Sequence, residues 1–78
     1  MAQPIQFRIL SVRLTGRGSY VTFESIPGRR YQVQTRDVLV GGGWRTIASD
    51  LTASTSVTQF LDRTAVEDIR FYRVLLLP

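Results

Sequence analysis

The sequence predicts an all-β fold, a small antiparallel β-sandwich of about six or seven strands. One observation is a series of short runs in which apolar and polar residues alternate, with turn residues between the runs. A second is that no segment sustains a helical period over ten or more residues. A third is the length, since 78 residues leave room for one small core. We therefore expect residues 1–78 to form a single domain.

Residues 5–14 form the first predicted strand. Apolar side chains alternate with polar ones on either side of a slip in phase between Ile9 and Leu10. Such a slip is typical of a β-bulge or of a strand that crosses from one sheet to another, and the sequence leaves both open. Residues 15–18 contain two glycines and are predicted to form a turn.

The next two predicted strands flank a Pro-Gly turn. Residues 19–26 place Val21 and Phe23 on one face, and residues 31–36 place Tyr31 and Val33 on one face. Proline fixes the corner of a tight turn and glycine supplies the positive φ that ends it. These two strands are therefore predicted to pair as a hairpin.

The second half of the chain is predicted as three further short strands. They cover residues 44–48, 57–61 and 70–77, with a glycine-rich loop at 37–43 closing a second hairpin. Residues 49–54 are polar and turn-like. Asp62 is placed to cap the turn after the fifth strand, and residues 66–69 are predicted to form a single helical or 3₁₀ turn.

The composition excludes several kinds of active site. The chain has neither cysteine nor histidine, which removes Ser-His and Cys-His pairs and thiolate metal sites. Asp62, Glu67 and Asp68 lie close together but lack the ligand spacing of a calcium loop, so they are interpreted as solvated turn residues. We therefore expect no catalytic residues, no cofactor and no metal, and we do not expect an enzyme.

The net charge and the pattern of apolar residues limit the kinds of partner and location that we expect for this chain. The net charge of +4 comes from ten arginines without any lysine. Because the arginines are scattered, nucleic-acid binding is not favoured, although Arg17, Arg29 and Arg30 could form a small basic patch. No apolar run reaches the length of a signal peptide core or of a membrane span. The chain is expected in a virion or the cytoplasm if complete, and outside the cell or on its surface if excised.

Four stretches resemble the short bacterial fibronectin type III-like or immunoglobulin-like β-sandwich modules that occur as repeats or tails of large secreted and surface proteins. They are Tyr20-Val21-Thr22-Phe23, Pro27-Gly28-Arg29-Arg30-Tyr31-Gln32-Val33-Gln34, Gly43-Trp44-Arg45-Thr46-Ile47 and Phe71-Tyr72-Arg73-Val74. The resemblance implies that the Phe-Tyr-Arg-Val strand packs on the Tyr-x-Val strand. This chain departs from such modules by lacking a final strand after residue 77, which would leave one sheet edge open.

Surplus apolar residues suggest a partner interface. The last strand carries apolar residues on both faces, including Leu75 and Leu77, and the loop contains Val38, Leu39 and Val40. The leading hypothesis is therefore a non-catalytic structural module. It would self-associate or dock onto a larger assembly such as a virion shell, a filament or a surface layer. Alternatively, the last strand buries both of its faces within the chain.

A second hypothesis is an accessory module of a secreted or cell-surface protein that binds carbohydrate or another protein. Trp44 would then stack on a sugar ring, with Arg29 and Arg30 as further candidate contacts. The favoured interpretation of Trp44 is instead a cover for the core edge beside Tyr31 and Tyr72. Tyr72 is interpreted as a hydrogen-bonding corner tyrosine rather than as a ligand contact.

Overall fold

A computed structural model describes residues 6–36, 43–64 and 70–78. Its strands are β1 (Gln6–Phe7), β2 (Ile9–Thr15), β3 (Gly18–Glu24), β4 (Arg30–Arg36), β5 (Arg45–Thr52), β6 (Val57–Asp62) and β7 (Phe71–Leu76). They form a four-stranded sheet in the order β1-β7-β4-β5 and a three-stranded sheet in the order β2-β3-β6. Every pairing is antiparallel. The predicted small all-β sandwich is confirmed.

The first predicted strand is divided between the two sheets. Gln6 and Phe7 pair with β7, whereas the chain from Ile9 onward pairs with β3. The chain therefore changes sheet at Arg8. The ladder between β2 and β3 then shifts register between Ile9 and Ser11, which makes Leu10 the extra residue of a bulge. Both predicted explanations of the slip in phase are therefore correct, since the chain changes sheet at Arg8 and forms a bulge at Leu10.

The predicted hairpin around Pro27 and Gly28 is wrong. β3 pairs with β2 and β6, whereas β4 pairs with β5 and β7, so this turn carries the chain from one sheet to the other. The Tyr31 hydroxyl accepts a hydrogen bond from the Ile26 N–H at 2.7 Å, and Gly28 donates to the Ala53 carbonyl at 2.8 Å. Alternation specifies which side of a strand is buried. It does not specify whether two such strands are neighbours in one sheet or lie in different sheets.

β5 is longer than the sequence predicts, because residues 49–52, assigned to a turn, continue the strand. The register against β4 shifts so that Ser49 and Asp50 both lie between the pairs Val33 with Ala48 and Tyr31 with Leu51. A bulge at the sheet edge thus accommodates two exposed polar residues. The predicted helical turn at 66–69 and residues 37–42 of the glycine-rich loop lie outside the described residues.

The core lies between the two sheets and is centred on Tyr31. Its ring makes edge contacts with Phe7 and Phe23 at centroid distances of 5.0 and 5.5 Å. Val21 and Phe23 of β3 and Tyr31 and Val33 of β4 are fully buried, which confirms the predicted inward faces of both strands. Because Phe7 belongs to β1, even this two-residue strand contributes to the core.

Candidate functional site

The last strand lies inside its sheet and offers little apolar surface. β7 runs between β1 and β4, and Val74 and Leu75, on its opposite faces, are 0% and 7% exposed. Leu77 is half-buried. The burial of Leu75 removes the exposure on which its assignment to a partner interface depended, and favours the alternative in which this strand buries both faces. Val38, Leu39 and Val40 lie outside the described residues, so their part in an interface stays a prediction.

The sheet edge expected beside the last strand is partly occupied by the start of the chain. β1 pairs with β7 through Gln6 with Leu75 and Phe7 with Val74. On this side of β7, residues 71–73 have no strand partner within the part of the chain that the structure describes. Among the described residues, the edge is therefore covered at Val74 and Leu75 only.

Strand β2 carries an apolar surface that faces inward and is nevertheless exposed. Val12 lies opposite Val21 and Leu14 opposite Ser19, and residues directly opposite in an antiparallel ladder share a face. Val21 and Ser19 are buried, whereas Val12 is 47% and Leu14 51% exposed. We call these two residues, together with the exposed bulge residue Leu10, the edge surface.

The edge surface belongs to a strand at the end of its sheet. β2 has one described strand partner, β3, and β1, which precedes it in the chain, has only two residues. Arg13 is the one charged residue of β2, and it pairs with Tyr20 on the outer face. No proline interrupts the strand either. Charged residues and proline are the usual means by which edge strands resist pairing, and β2 has little of either.

Asp62 is a buried structural carboxylate, not the solvated turn residue that the sequence suggested. It is 2% exposed. One carboxylate oxygen accepts the Thr64 N–H at 3.0 Å and the Thr64 hydroxyl at 2.6 Å. The other accepts the Tyr72 hydroxyl at 2.8 Å and the Arg70 guanidinium at 3.1 Å. The predicted cap at Asp62 and the predicted hydrogen-bonding role of Tyr72 are both present.

This cluster shifts two pKa values in opposite directions. Burial raises the pKa of Asp62, but hydrogen bonds from Thr64 and Tyr72 and the charge of Arg70 outweigh it and hold the pKa below 3.8. Burial and the hydrogen bond to Asp62 raise the pKa of Tyr72 to about 12. Among the described residues no group of three or more acidic, histidine or cysteine side chains could hold a metal ion. Glu67 and Asp68 lie outside those residues.

Trp44 lies beneath two arginines instead of at the core edge beside Tyr31 and Tyr72. The guanidinium carbons of Arg36 and Arg73 are 4.5 and 4.4 Å from its ring centroid. Arg36 follows the fully buried Thr35, and Arg73 precedes the fully buried Val74. Because successive side chains of a strand point to opposite faces, both arginines lie on the outer face of the four-stranded sheet. The alternation in β4 and β7 could have predicted that Arg36 and Arg73 lie on the outer face. The position of Trp44 on that face could not be predicted, because it depends on the fold.

The three candidate ligand contacts do not converge. Arg29 and Arg30 lie at the start of β4, whereas Trp44 contacts Arg36 at its end, about 20 Å away along the strand. Arg30 is engaged with Asp50 at 3.4 Å and with the Pro78 carbonyl. Arg17 lies in the turn between β2 and β3, at the opposite end of β3 from Arg29. The basic patch considered from the sequence is therefore not assembled.

A shallow depression on the outer face of the three-stranded sheet was not anticipated from the sequence. Its volume is about 320 Å³ and its lining consists of Ser11, Arg13, Tyr20, Thr22 and Gln59. Gln59 donates a hydrogen bond to the Thr22 hydroxyl at 3.3 Å. Each of the five lining side chains carries a polar group, and the depression lies on the opposite side of the sheet from the apolar edge surface.

Comparison of the chain with known protein families, with curated proteins and with solved structures found no match. The resemblance to fibronectin type III-like modules therefore stays a prediction. In the described part of the chain, no helix has the length and apolar character needed to cross a membrane.

Proposed function

We propose that this chain is a non-catalytic structural module that self-associates through the edge surface of β2. The observation that supports it is the exposure of Val12 and Leu14, 47% and 51%, although both face inward. Leaving two such side chains half exposed forgoes on the order of 1 kcal/mol of burial free energy for each. A partner that covers β2 would recover it.

The partner that fits β2 best is a second copy of the chain. β2 is the last described strand of its sheet, so one of its edges is free to pair. Two copies related by a two-fold axis would pair their β2 strands antiparallel and join two three-stranded sheets into one of six strands. A register centred on Val12 would place Arg13 opposite Ser11 of the second copy, which keeps like charges apart.

Light scattering after size exclusion, over a concentration series, tests this proposal. We expect the native chain to form dimers that dissociate on dilution, and the Val12→Ser/Leu14→Ser variant to stay monomeric with its fold retained by circular dichroism. The Ile26→Ser/Val57→Ser variant is the matched control, because these side chains are 47% and 48% exposed but lie away from the edge surface. It should dimerise like the native chain.

Two results would contradict the proposal. A native chain that stays monomeric at every concentration would exclude a second copy as the partner and leave docking on a larger assembly. Dimers that persist in the Val12→Ser/Leu14→Ser variant would place the interface elsewhere, with the predicted contacts Val38, Leu39 and Val40 as the next to test.

The alternative function, a carbohydrate-binding accessory module, has less support in the form first considered. A neutral sugar would stack on the ring of Trp44, but guanidinium groups already lie over that ring. Arg30 has an acidic partner in Asp50. The arginines over Trp44 point to a different ligand.

A further inference from the structure

We infer that the outer face of the four-stranded sheet binds the carboxylate groups of an acidic polysaccharide through Arg36 and Arg73. This site is independent of the proposed self-association, because β4 and β7 belong to one sheet and the edge surface to the other.

The two guanidinium groups are held in place by neighbouring side chains. Both lie over the Trp44 ring, at 4.5 and 4.4 Å from its centroid, within the range of a cation–π contact. Arg73 also donates its Nε–H to the Gln34 side-chain oxygen at 2.6 Å. Gln34 in turn donates to the Gln32 side-chain oxygen at 2.7 Å. This chain of contacts fixes the orientation of Arg73 before any ligand arrives.

The positive charge at this site is not neutralised by the described residues. Arg8, Arg30 and Arg70 each have a carboxylate partner, whereas no described carboxylate pairs with Arg36 or Arg73. The buried Nε of Arg36 has no hydrogen-bond partner. Two like charges that share one aromatic ring repel each other, and an anion between or beside them would relieve that repulsion.

The chemistry of the face suits a carboxylate on a sugar polymer. The guanidinium fork matches a carboxylate with two parallel hydrogen bonds. Next to it lie the side chains of Gln32, Gln34 and Thr46, whose amide and hydroxyl groups suit sugar hydroxyls. The backbone of β4 is paired on both sides, so an acidic peptide lying over Arg36 would find no backbone partner in β4.

Titration calorimetry with polygalacturonate tests the site. We expect Arg36→Gln and Arg73→Gln each to weaken binding about tenfold or more, because each removes a charge-assisted hydrogen bond. The matched controls are Arg17→Gln and Arg29→Gln, which remove the same charge from exposed turn positions and should change affinity less than about twofold. Methyl-esterified polygalacturonate should not bind. The Val12→Ser/Leu14→Ser variant should bind like the native chain, whatever its oligomeric state.

Several outcomes would overturn this inference. Equal weakening by Arg29→Gln and Arg73→Gln would show general attraction to a chain of net charge +4. Binding of poly-glutamate as tight as that of polygalacturonate would indicate an acidic protein partner. Absence of polygalacturonate binding by the native chain would also exclude the site. Circular dichroism of each variant distinguishes a lost contact from a lost fold.

Discussion

Strands β4 and β2 have the same length and a similar alternation, and yet they differ in burial. Each has seven residues. Tyr31 and Val33 on the inner face of β4 are fully buried, whereas Val12 and Leu14 on the inner face of β2 are about half exposed. β4 has a strand on each side, while β2 has one strand neighbour among the described residues. Alternation thus sets which way a side chain points, and the surrounding strands decide whether it is covered.

The greatest loss of stability is expected from a substitution on the buried inner face of β4. Tyr31→Ala should lower the free energy of unfolding by about 3 to 5 kcal/mol, because it leaves a cavity at the centre of the core. Leu14→Ala should lower it by about 1 kcal/mol, since half of that side chain is already in water. Urea denaturation of both variants measures the difference. Equal losses would mean that β2 is as well covered as β4.

The buried charge of Asp62 is expected to stabilise the fold more than an exposed carboxylate does. Asp62→Asn should lower the free energy of unfolding by about 3 kcal/mol, because it replaces the buried carboxylate that accepts hydrogen bonds from Thr64, Tyr72 and Arg70. The control Asp50→Asn breaks an exposed pair with Arg30 and should change it by about 0.5 kcal/mol. Similar effects in the two variants would show that Asp62 is no more than a surface carboxylate.

The same cluster sets a pH dependence. The folded-state pKa of Asp62 lies below 3.8, so its contribution to stability is present above that pH and is lost as the pH falls through the folded-state pKa. The pKa of Tyr72 is raised to about 12, so its contribution is present below pH 10 and is lost as the pH rises through about 12. Asp62→Asn should flatten the acid limb in denaturation curves measured across pH, and an acid limb that stays as steep as in the native chain would contradict this.

Gly18 provides a smaller test, where β3 begins beside the end of β6. Its φ is +131°, and a Cβ there would collide with the Asp62 carbonyl oxygen. Gly18→Ala should therefore lower the free energy of unfolding by about 2 kcal/mol. Gly16→Ala lies in the same turn with open space around it and should change it by less than about 0.5 kcal/mol. Thermal unfolding of the two variants measures this difference, and equal melting temperatures would contradict it.

Particular residues show what the sequence could predict. The inward positions Val21, Phe23, Tyr31 and Val33 and the cap at Asp62 follow from local patterns of two to six residues, and the structure confirms them. The pairing of β3 and β4 could not be predicted, because a period of two specifies a face and not a neighbour.

The candidate sites depend on contacts between distant parts of the chain. The burial of Leu75 and the position of Trp44 beneath Arg36 and Arg73 arise from which strands lie side by side. The exposure of Val12 goes with the place of β2 at the end of the described sheet. No local pattern contains that information.

The inner face of β2 is exposed in the single chain, and we propose that a partner copy covers it. The chain has no cysteine, so a Val12→Cys variant, kept reduced with a phosphine, carries one thiol whose alkylation rate can be followed. We expect rapid alkylation in dilute solution and slow alkylation at high concentration, with a Val57→Cys control that reacts equally at both. If the thiol of Val12→Cys reacts at one rate at every concentration, or is protected even when dilute, the claim is wrong.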